Sequence, residues 1–368
     1  MNRMILGNLV HRPIRSLISV IAVALEVTLI LLIVGLSLGM LRDSRTRQAG
    51  IGADVIVLPP GSSYIAGLTG APMPIKIGDI VAKLPHVVRV APVVTQVSTS
   101  GALEVIAGID LKSYEELSNG FHYLDGGPFQ GPYDAIVDDV FAKAKRVKIG
   151  DKIEILNHEF HISGIIESGK GARKFIPLST MQDLNGSQGK ASIFYLKLDN
   201  AENAPLVVDE IKRVPGMERY VARSMRDYLS MVGSPTTYPG LASFIDVVIG
   251  ISVVVGFIVI FQAMYAAVME RTREIGILKA MGASKLYIVN LVVRETVLLA
   301  IGGIILGILV SLTTRAVLAQ KLPLLQVIVS GGWILRATGI AIVGAIAGAL
   351  YPAFKAAQKD PIDALAYE

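Results

Sequence analysis

The sequence predicts a helical membrane protein: four transmembrane helices, with a large extracytoplasmic α+β domain between the first and the second. Three observations carry that prediction. Of 368 residues 52% are hydrophobic and the mean hydropathy is +0.56, while only 18% are charged, against about a quarter in an ordinary soluble chain. The apolar residues gather into four stretches long enough to cross a bilayer, which takes about 20 residues at a rise of about 1.5 Å each. Residues 41–240, between the first two stretches, have another texture, with short β-branched runs among helical segments.

Taken in order, residues 1–15 are a basic, amphipathic lead-in carrying Arg3, Arg12 and Arg15 and no acidic residue. The first span covers 16–40, within which Leu17–Met40 reads LISVIAVALEVTLILLIVGLSLGM. It exceeds the apolar core of a signal peptide, about 7–15 residues, and lacks an A-x-A cleavage pattern, so it is read as a retained helix. The second span covers 241–268, the third 286–312 and the fourth 333–350, where Trp333 suits an interfacial anchor. The connector 269–285 carries Arg271, Arg273, Lys279 and Lys285 against Glu270 and Glu274, and the tail 351–368 carries Lys355 and Lys359. Basic residues mark the cytoplasmic side. Both termini and the connector are therefore expected inside, and 41–240 with the short loop 313–332 outside.

The outer segment is long enough to bury its own core. Strands are expected at ADVIVL, LEVIAGI, DAIVDD, KIEIL, EFHISGII and SIFYLKL, and helices at KIGDIVAKL, SYEELSN, DDVFAKAKRV and APLVVDEIKRV. Their irregular alternation favours an α+β domain over a doubly wound sheet. Leu58–Pro74 reads as loop, and ARSMRDYLSMV, Ala222–Val232, as a stalk into the second span.

Few residues here invite chemistry. Gly164, Gly169 and Lys170 stand at the spacing of a phosphate-binding G-x-x-x-x-G-K loop. The next position is Gly171, where such a loop needs a Ser or Thr hydroxyl for Mg²⁺. A further turn and strand, not a helix, are expected to follow, on the side of the membrane without an ATP supply. The stretch is read as a glycine-rich turn bearing solvated Lys170, Arg173 and Lys174. The absence of cysteine excludes disulfides, thiolate metal sites and a cysteine nucleophile. His86, His122, His158 and His161 lack metal-ligand spacing and an acidic cluster, and Asp138 and Asp139 read as helix N-caps. No catalytic, cofactor-binding or metal site is expected on this chain, and the net charge of +5 is read as membrane orientation, not as nucleic-acid binding.

The connector is the most informative stretch. MERTREIGILKAM reads as an amphipathic helix, with Met269, Ile275, Leu278 and Met281 on an apolar stripe. Gly282 and Ser284 are expected to break it before the third span. Gly276 costs roughly 1 kcal/mol inside a helix relative to Ala, a cost consistent with close approach to a partner. In MERTREIGILKAMGASKLYIVNLVVRETVLLAIGGIILG, residues 269–307, the chain resembles the FtsX/MacB-type permease family of ABC transporters. LVHRPIRSLISVIAVAL, GADVIVLPP, IVDDVFAKAKRVKIGDKIEILNHEFHISGIIESG and YPAFKAAQKDPIDALAYE resemble, in order, the family's first span, the start and body of its outer domain and its C-terminal ending.

The resemblance implies a permease subunit of a bacterial inner membrane. It would pair with a second permease, as a homodimer, and with two copies of a cytoplasmic ATPase, which holds the ATP and Mg²⁺. It implies transmission of ATP-driven motion to the outer domain, so as to export or extract a lipid, lipoprotein, peptide or drug-like substrate. A periplasmic adaptor, or membrane fusion protein, and an outer-membrane channel are partners of some branches. The alternative is a signalling scaffold that activates a periplasmic cell-wall hydrolase. The coupling helix would be carried by Glu270, Arg271, Arg273, Glu274, Gly276, Leu278, Lys279 and Gly282. Glu26 lies about ten residues into the first span, where family members often have a small residue. It is expected to pair with Arg294, beside Glu295, within one subunit or across the dimer. Gly302, Gly303 and Gly307 are expected to allow close helix packing of the kind a dimer interface uses.

Overall fold

The computed structural model describes residues 13–62, 71–98, 104–270 and 272–358. Arg3, Arg12, Arg271 and Lys359, to which the sequence reading assigns roles, lie outside them. The chain divides into two compact units. One contains residues 13–39, 239–320 and 327–358, and the other contains Met40–Tyr238 with Lys321–Gln326.

The first unit is helical. Its long helices are α1 (Pro13–Ala49), α8 (Pro239–Glu270), α10 (Lys285–Lys321) and α11 (Gly331–Gln358), all long and apolar enough to cross a membrane. Beyond Arg271, which lies outside the described residues, the helical segment α9 (Thr272–Ala280) leads to α10. Pro239 stands at the first position of α8, where a missing N–H costs nothing. α1 is longer than its expected span: its 37 residues make about 55 Å of helix, and residues from Met40 onward belong to the second unit.

Small residues set the packing of the first unit. In α11 Ala337, Ala341, Ala345, Ala349 and Ala353 recur every four residues and are fully buried, and Gly348 brings α11 against the backbone of α8 at Phe257. Such a seam lets helix backbones approach where lipid removes the usual hydrophobic drive. Gly303 and Gly307 do the same for α10 on α1. A Cβ at Gly303 would lie 2.8 Å from the Val20 carbonyl oxygen, and one at Gly307 2.7 Å from that of Ala24.

The second unit is α+β, as expected. Its strands are β1 (Val55–Leu58), β2 (Met73–Pro74), β3 (Val87–Ser98), β4 (Glu104–Ile109), β5 (Tyr123–Gly126), β6 (Asp134–Asp138), β7 (Lys152–Ile155), β8 (His158–Ile166), β9 (Lys174–Pro177), β10 (Lys190–Ala191), β11 (Ile193–Leu198) and β12 (Val221–Ser224). The main sheet runs β12-β1-β11-β3-β4-β9-β6-β8-β5, with β7 on β8. Only β4–β9 and β6–β8 are parallel. Its helices are α2 (Lys76–Val81), α3 (Leu111–Ser118), α4 (Asp139–Lys145), α5 (Leu178–Leu184), α6 (Ala204–Arg213) and α7 (Met225–Val232).

β1 shows why several strands read as unbroken apolar runs. Val55 and Val57 join a core with α2 and α6, while Ile56 and Leu58 join another with α3 and α7. A strand covered on both faces has no polar side to alternate with.

The structure corrects two readings of this region. Val221–Ser224 pairs with β1, and α7, N-capped by Ser224, buries Met225 and Val232 within the folded unit. Ala222–Val232 is therefore part of the domain, not a stalk. The glycine-rich turn does lie between two strands, β8 and β9, with Gly169 and Gly171 at positive φ, but its cations are not solvated. Lys170 donates to the Ser118 carbonyl at 2.7 Å. Arg173 and Lys174 are buried, Lys174 against Glu104 at 2.6 Å and above the Phe141 ring.

Arg173 makes the most connected ion pair of this unit. Its guanidinium donates to Asp138 Oδ2 at 2.9 Å and to both carboxylate oxygens of Asp43, near the end of α1, at 3.0 Å. Asp43 also accepts from Arg47 and from Gln326. Asp138 caps α4 as expected, accepting from the Phe141 N–H at 2.7 Å, while Asp139 stands inside the helix. Burial pushes the Asp138 carboxyl above its ordinary value, against the pull of Arg173 and of the Phe141 N–H.

Candidate functional site

The elbow between α8 and α10 is the part of the helical unit built to meet something else. Among the described residues Thr272–Ala280 is helical, and contacts along it fix its position. Thr272 returns its hydroxyl hydrogen to the Met269 carbonyl oxygen at 2.8 Å. Ile275 and Gly276 are buried, and Leu278 packs on the core of the long helices. Lys279 donates to the carbonyl oxygen of Ala357 on α11 at 3.0 Å.

The far end is equally defined. The Ala283 N–H donates to the Leu278 carbonyl and the Gly282 N–H to that of Lys279, with Gly282 at φ +95°. This closes α9 in a left-handed cap that glycine adopts without strain. Ser284 then accepts the Tyr287 N–H on its hydroxyl and caps α10. What remains outward is Arg273, Glu274 and Ile277, then Met281 and, at the start of α10, Leu286. Met281 is 72% exposed. It leaves the expected apolar stripe because it follows the last helical residue and precedes the turn at Gly282. Glu270 ends α8.

Inside the helical unit, Glu26 is 3% exposed, and neither carboxylate oxygen has a hydrogen-bond partner among the described residues. It sits in a notch left by two glycines. A Cβ on Gly256 of α8 would fall 2.1 Å from Oε2, and one on Gly344 of α11 3.9 Å from Oε1. Within the chain the expected pair with Arg294 is not formed: Arg294 is exposed and donates to Asn290 Oδ1 at 3.1 Å. Consecutive residues of a helix point about 100° apart, so Glu295 is buried while Arg294 faces out. Gly303 and Gly307 serve packing on α1 of the same chain, and Gly302 meets only Val20 at ordinary distance. The close packing expected of these glycines is thus made within the chain by Gly303 and Gly307. The Gly256–Gly344 notch had no sequence signal apart from the charge that fills it.

Comparison with known proteins matches residues 16–214 to the MacB-like periplasmic core domain and residues 247–361 to the FtsX-like permease C-terminal domain. The chain is 26% identical over 384 residues to the macrolide export ATP-binding/permease protein MacB of Shewanella sp. (strain W3-18-1), covering 97% of this chain and 59% of that protein. It is 29% identical over 237 residues to MJ1507, an uncharacterized ABC transporter permease of Methanocaldococcus jannaschii, covering 60% of this chain and 58% of that protein. With YknZ, an uncharacterized ABC transporter permease of Bacillus subtilis, it shares 26% identity over 270 residues, covering 69% and 66%. The chain thus spans less than two thirds of each of these relatives. The first match takes in α1 and the sheet unit as far as Val214, and the second most of α8 and all of α9 to α11, the same order as the folded elements; the chain is a multi-pass membrane protein that belongs to the FtsX/MacB-type permease family of ABC transporters.

Proposed function

We propose that this chain is the permease subunit of an ABC transporter that transmits motion. A cytoplasmic ATPase, present in two copies and holding ATP and Mg²⁺, pushes on α9; the long helices carry the displacement to the folded domain on the other side of a bacterial inner membrane. The working unit is a permease homodimer with both termini in the cytoplasm. The domain moves to export or extract a lipid, lipoprotein, peptide or drug-like substrate, with an adaptor and an outer-membrane channel where the envelope provides them.

The supporting observation is the division of labour on α9. Thr272, Ile275 and Gly276 are buried and Lys279 is fastened to α11, while Arg273, Glu274 and Ile277 point outward beside Met281. A helical segment fastened on one side and offering mixed apolar and charged groups on the other suits a docking lever. The test is co-expression with a candidate partner ATPase from the same genome. Ile277→Asp should reduce its co-purification at least tenfold, and Arg273→Glu should uncouple ATP hydrolysis from the permease. Full retention and unchanged hydrolysis in both variants would remove α9 from the coupling role. A cell-wall hydrolase recovered in place of an adaptor would move the reading to the signalling branch.

A further inference from the structure

A groove of about 790 Å³ runs between α8 and α11, lined by Ile249, Val253 and Phe257 on one side and Gly339, Val343 and Ala347 on the other. The volume falls within the range of about 300–1,000 Å³ of small-molecule sites. Its wall is apolar throughout, and Arg336 and Trp333 border one end of it. The Arg336 guanidinium lies 4.9 Å from the Trp333 ring centroid. Arg336 is exposed and faces no carboxylate among the described residues.

Length and charge together identify the occupant. From Arg336 to Ala347 is about 16 Å of helix rise, about half of a 30 Å hydrocarbon core, so the groove is one leaflet deep. Side chains on a helix lean toward its N-terminus, and Arg336 curls back to Trp333, the kind of residue that settles at headgroup level. A cation at the headgroup end of a leaflet-deep apolar slot is complementary to a phosphate on an acyl chain. We propose that the α8–α11 groove is a site for one anionic phospholipid, its phosphate on Arg336 and its chain lying past Gly339 and Val343 to Ala347. It lies in whichever leaflet holds the N-terminal half of α11, and it does not depend on the transport reading.

A second copy of the chain has another surface to use. Val247, Ile251, Val255 and Ile258 are exposed on α8, and at 100° per residue they form a stripe that faces away from the groove-lining Ile249 and Val253 and borders the groove at Val254.

Trp333 is the chain's single tryptophan, which makes the site directly readable. The full chain is reconstituted into phosphatidylcholine vesicles containing a fixed fraction of phosphatidylglycerol or phosphatidylcholine brominated on the acyl chain, and quenching of Trp333 is compared. Brominated phosphatidylglycerol should quench with roughly fivefold preference, the worth of one basic residue against an anionic headgroup. Arg336→Gln should abolish the preference and Arg336→Lys should keep it. A Cβ at Gly339 meets nothing within 4 Å, so Gly339→Phe should fill the groove and lower quenching by both lipids. Equal quenching by the two lipids in the parent chain overturns the proposal, as does a preference that survives Arg336→Gln. So does efficient disulfide dimerisation of Val343→Cys with no quenching by either lipid, which would place a second copy in the groove.

Discussion

Two buried charged residues, Arg173 and Glu26, act in opposite ways. Arg173 stands between two carboxylates, and its side chain is 10% exposed against 1% for Asp138. Removing one partner of such a pair leaves an uncompensated charge, at a cost of about 3–5 kcal/mol. Arg173→Met is expected to lower the unfolding free energy of the full chain by that order, read as a fall in melting temperature, and Asp138→Asn by less. The pH dependence has a definite sign. The folded pKa of Asp138 is raised, so its charged form costs stability as the pH rises above the ordinary carboxylate range. Without Arg173 that cost grows. The gap between variant and parent should be widest at neutral pH and narrow as the pH falls toward about 4; a constant gap would mean that Asp138 is not the group left stranded. Glu26, by contrast, is held by shape, since its carboxylate fills the space where Gly256 has no side chain. Gly256→Val should cost about 1–3 kcal/mol by overpacking and be relieved by adding Glu26→Ala. Glu26→Gln and Arg294→Gln should be additive within about 0.5 kcal/mol, because the two side chains do not meet within the chain.

The contacts of whole elements explain what was legible in the sequence. The long helices could be read from hydropathy, since nothing else places 20 apolar residues in a row. Their ends could not: Met40–Ala49 continues α1 as polar helix, with Asp43 turned to the sheet unit. β3, the longest strand, was missed because Pro92 falls inside it and proline argues against an interior strand. Its opening VVRV also follows directly on the helical signal of α2. β1, β6 and β11 were found because β-branched runs survive burial on both faces. At the elbow, Gly282 and Ser284 announced the break, whereas the Lys279–Ala357 fastening joins residues 78 apart, which no local pattern reveals. The same distinction separates the glycines of α10. Gly307→Ala would press a methyl onto the Ala24 backbone oxygen, and Gly302→Ala would meet Val20 at 3.6 Å. Thermal stability in detergent should fall by about 1–3 kcal/mol for Gly307→Ala and stay within about 0.5 kcal/mol for Gly302→Ala. Equal effects would mean that α10 and α1 are not in backbone contact.

For the whole molecule, the functional reading requires the elbow and the folded domain to face opposite compartments. The distribution of basic residues argues for this: Arg273, Lys279 and Lys285 lie in or beside the connector between the second and third membrane helices, and Lys355 closes the fourth. A lever of this kind has an energetic requirement as well. To move its partners from one arrangement almost wholly to the other, ATP must favour the second by about 5.5 kcal/mol, and that bias must cross the membrane through the long helices. The absence of cysteine makes the arrangement open to a direct test, because a single introduced thiol is the only one present. Lys112 on α3 and Lys285 at the start of α10 are both exposed. In intact spheroplasts a membrane-impermeant maleimide should label Lys112→Cys and leave Lys285→Cys untouched until the membrane is opened. Labelling of both from outside would put motor and domain in one compartment, and α9 would then have no cytoplasmic ATPase to receive.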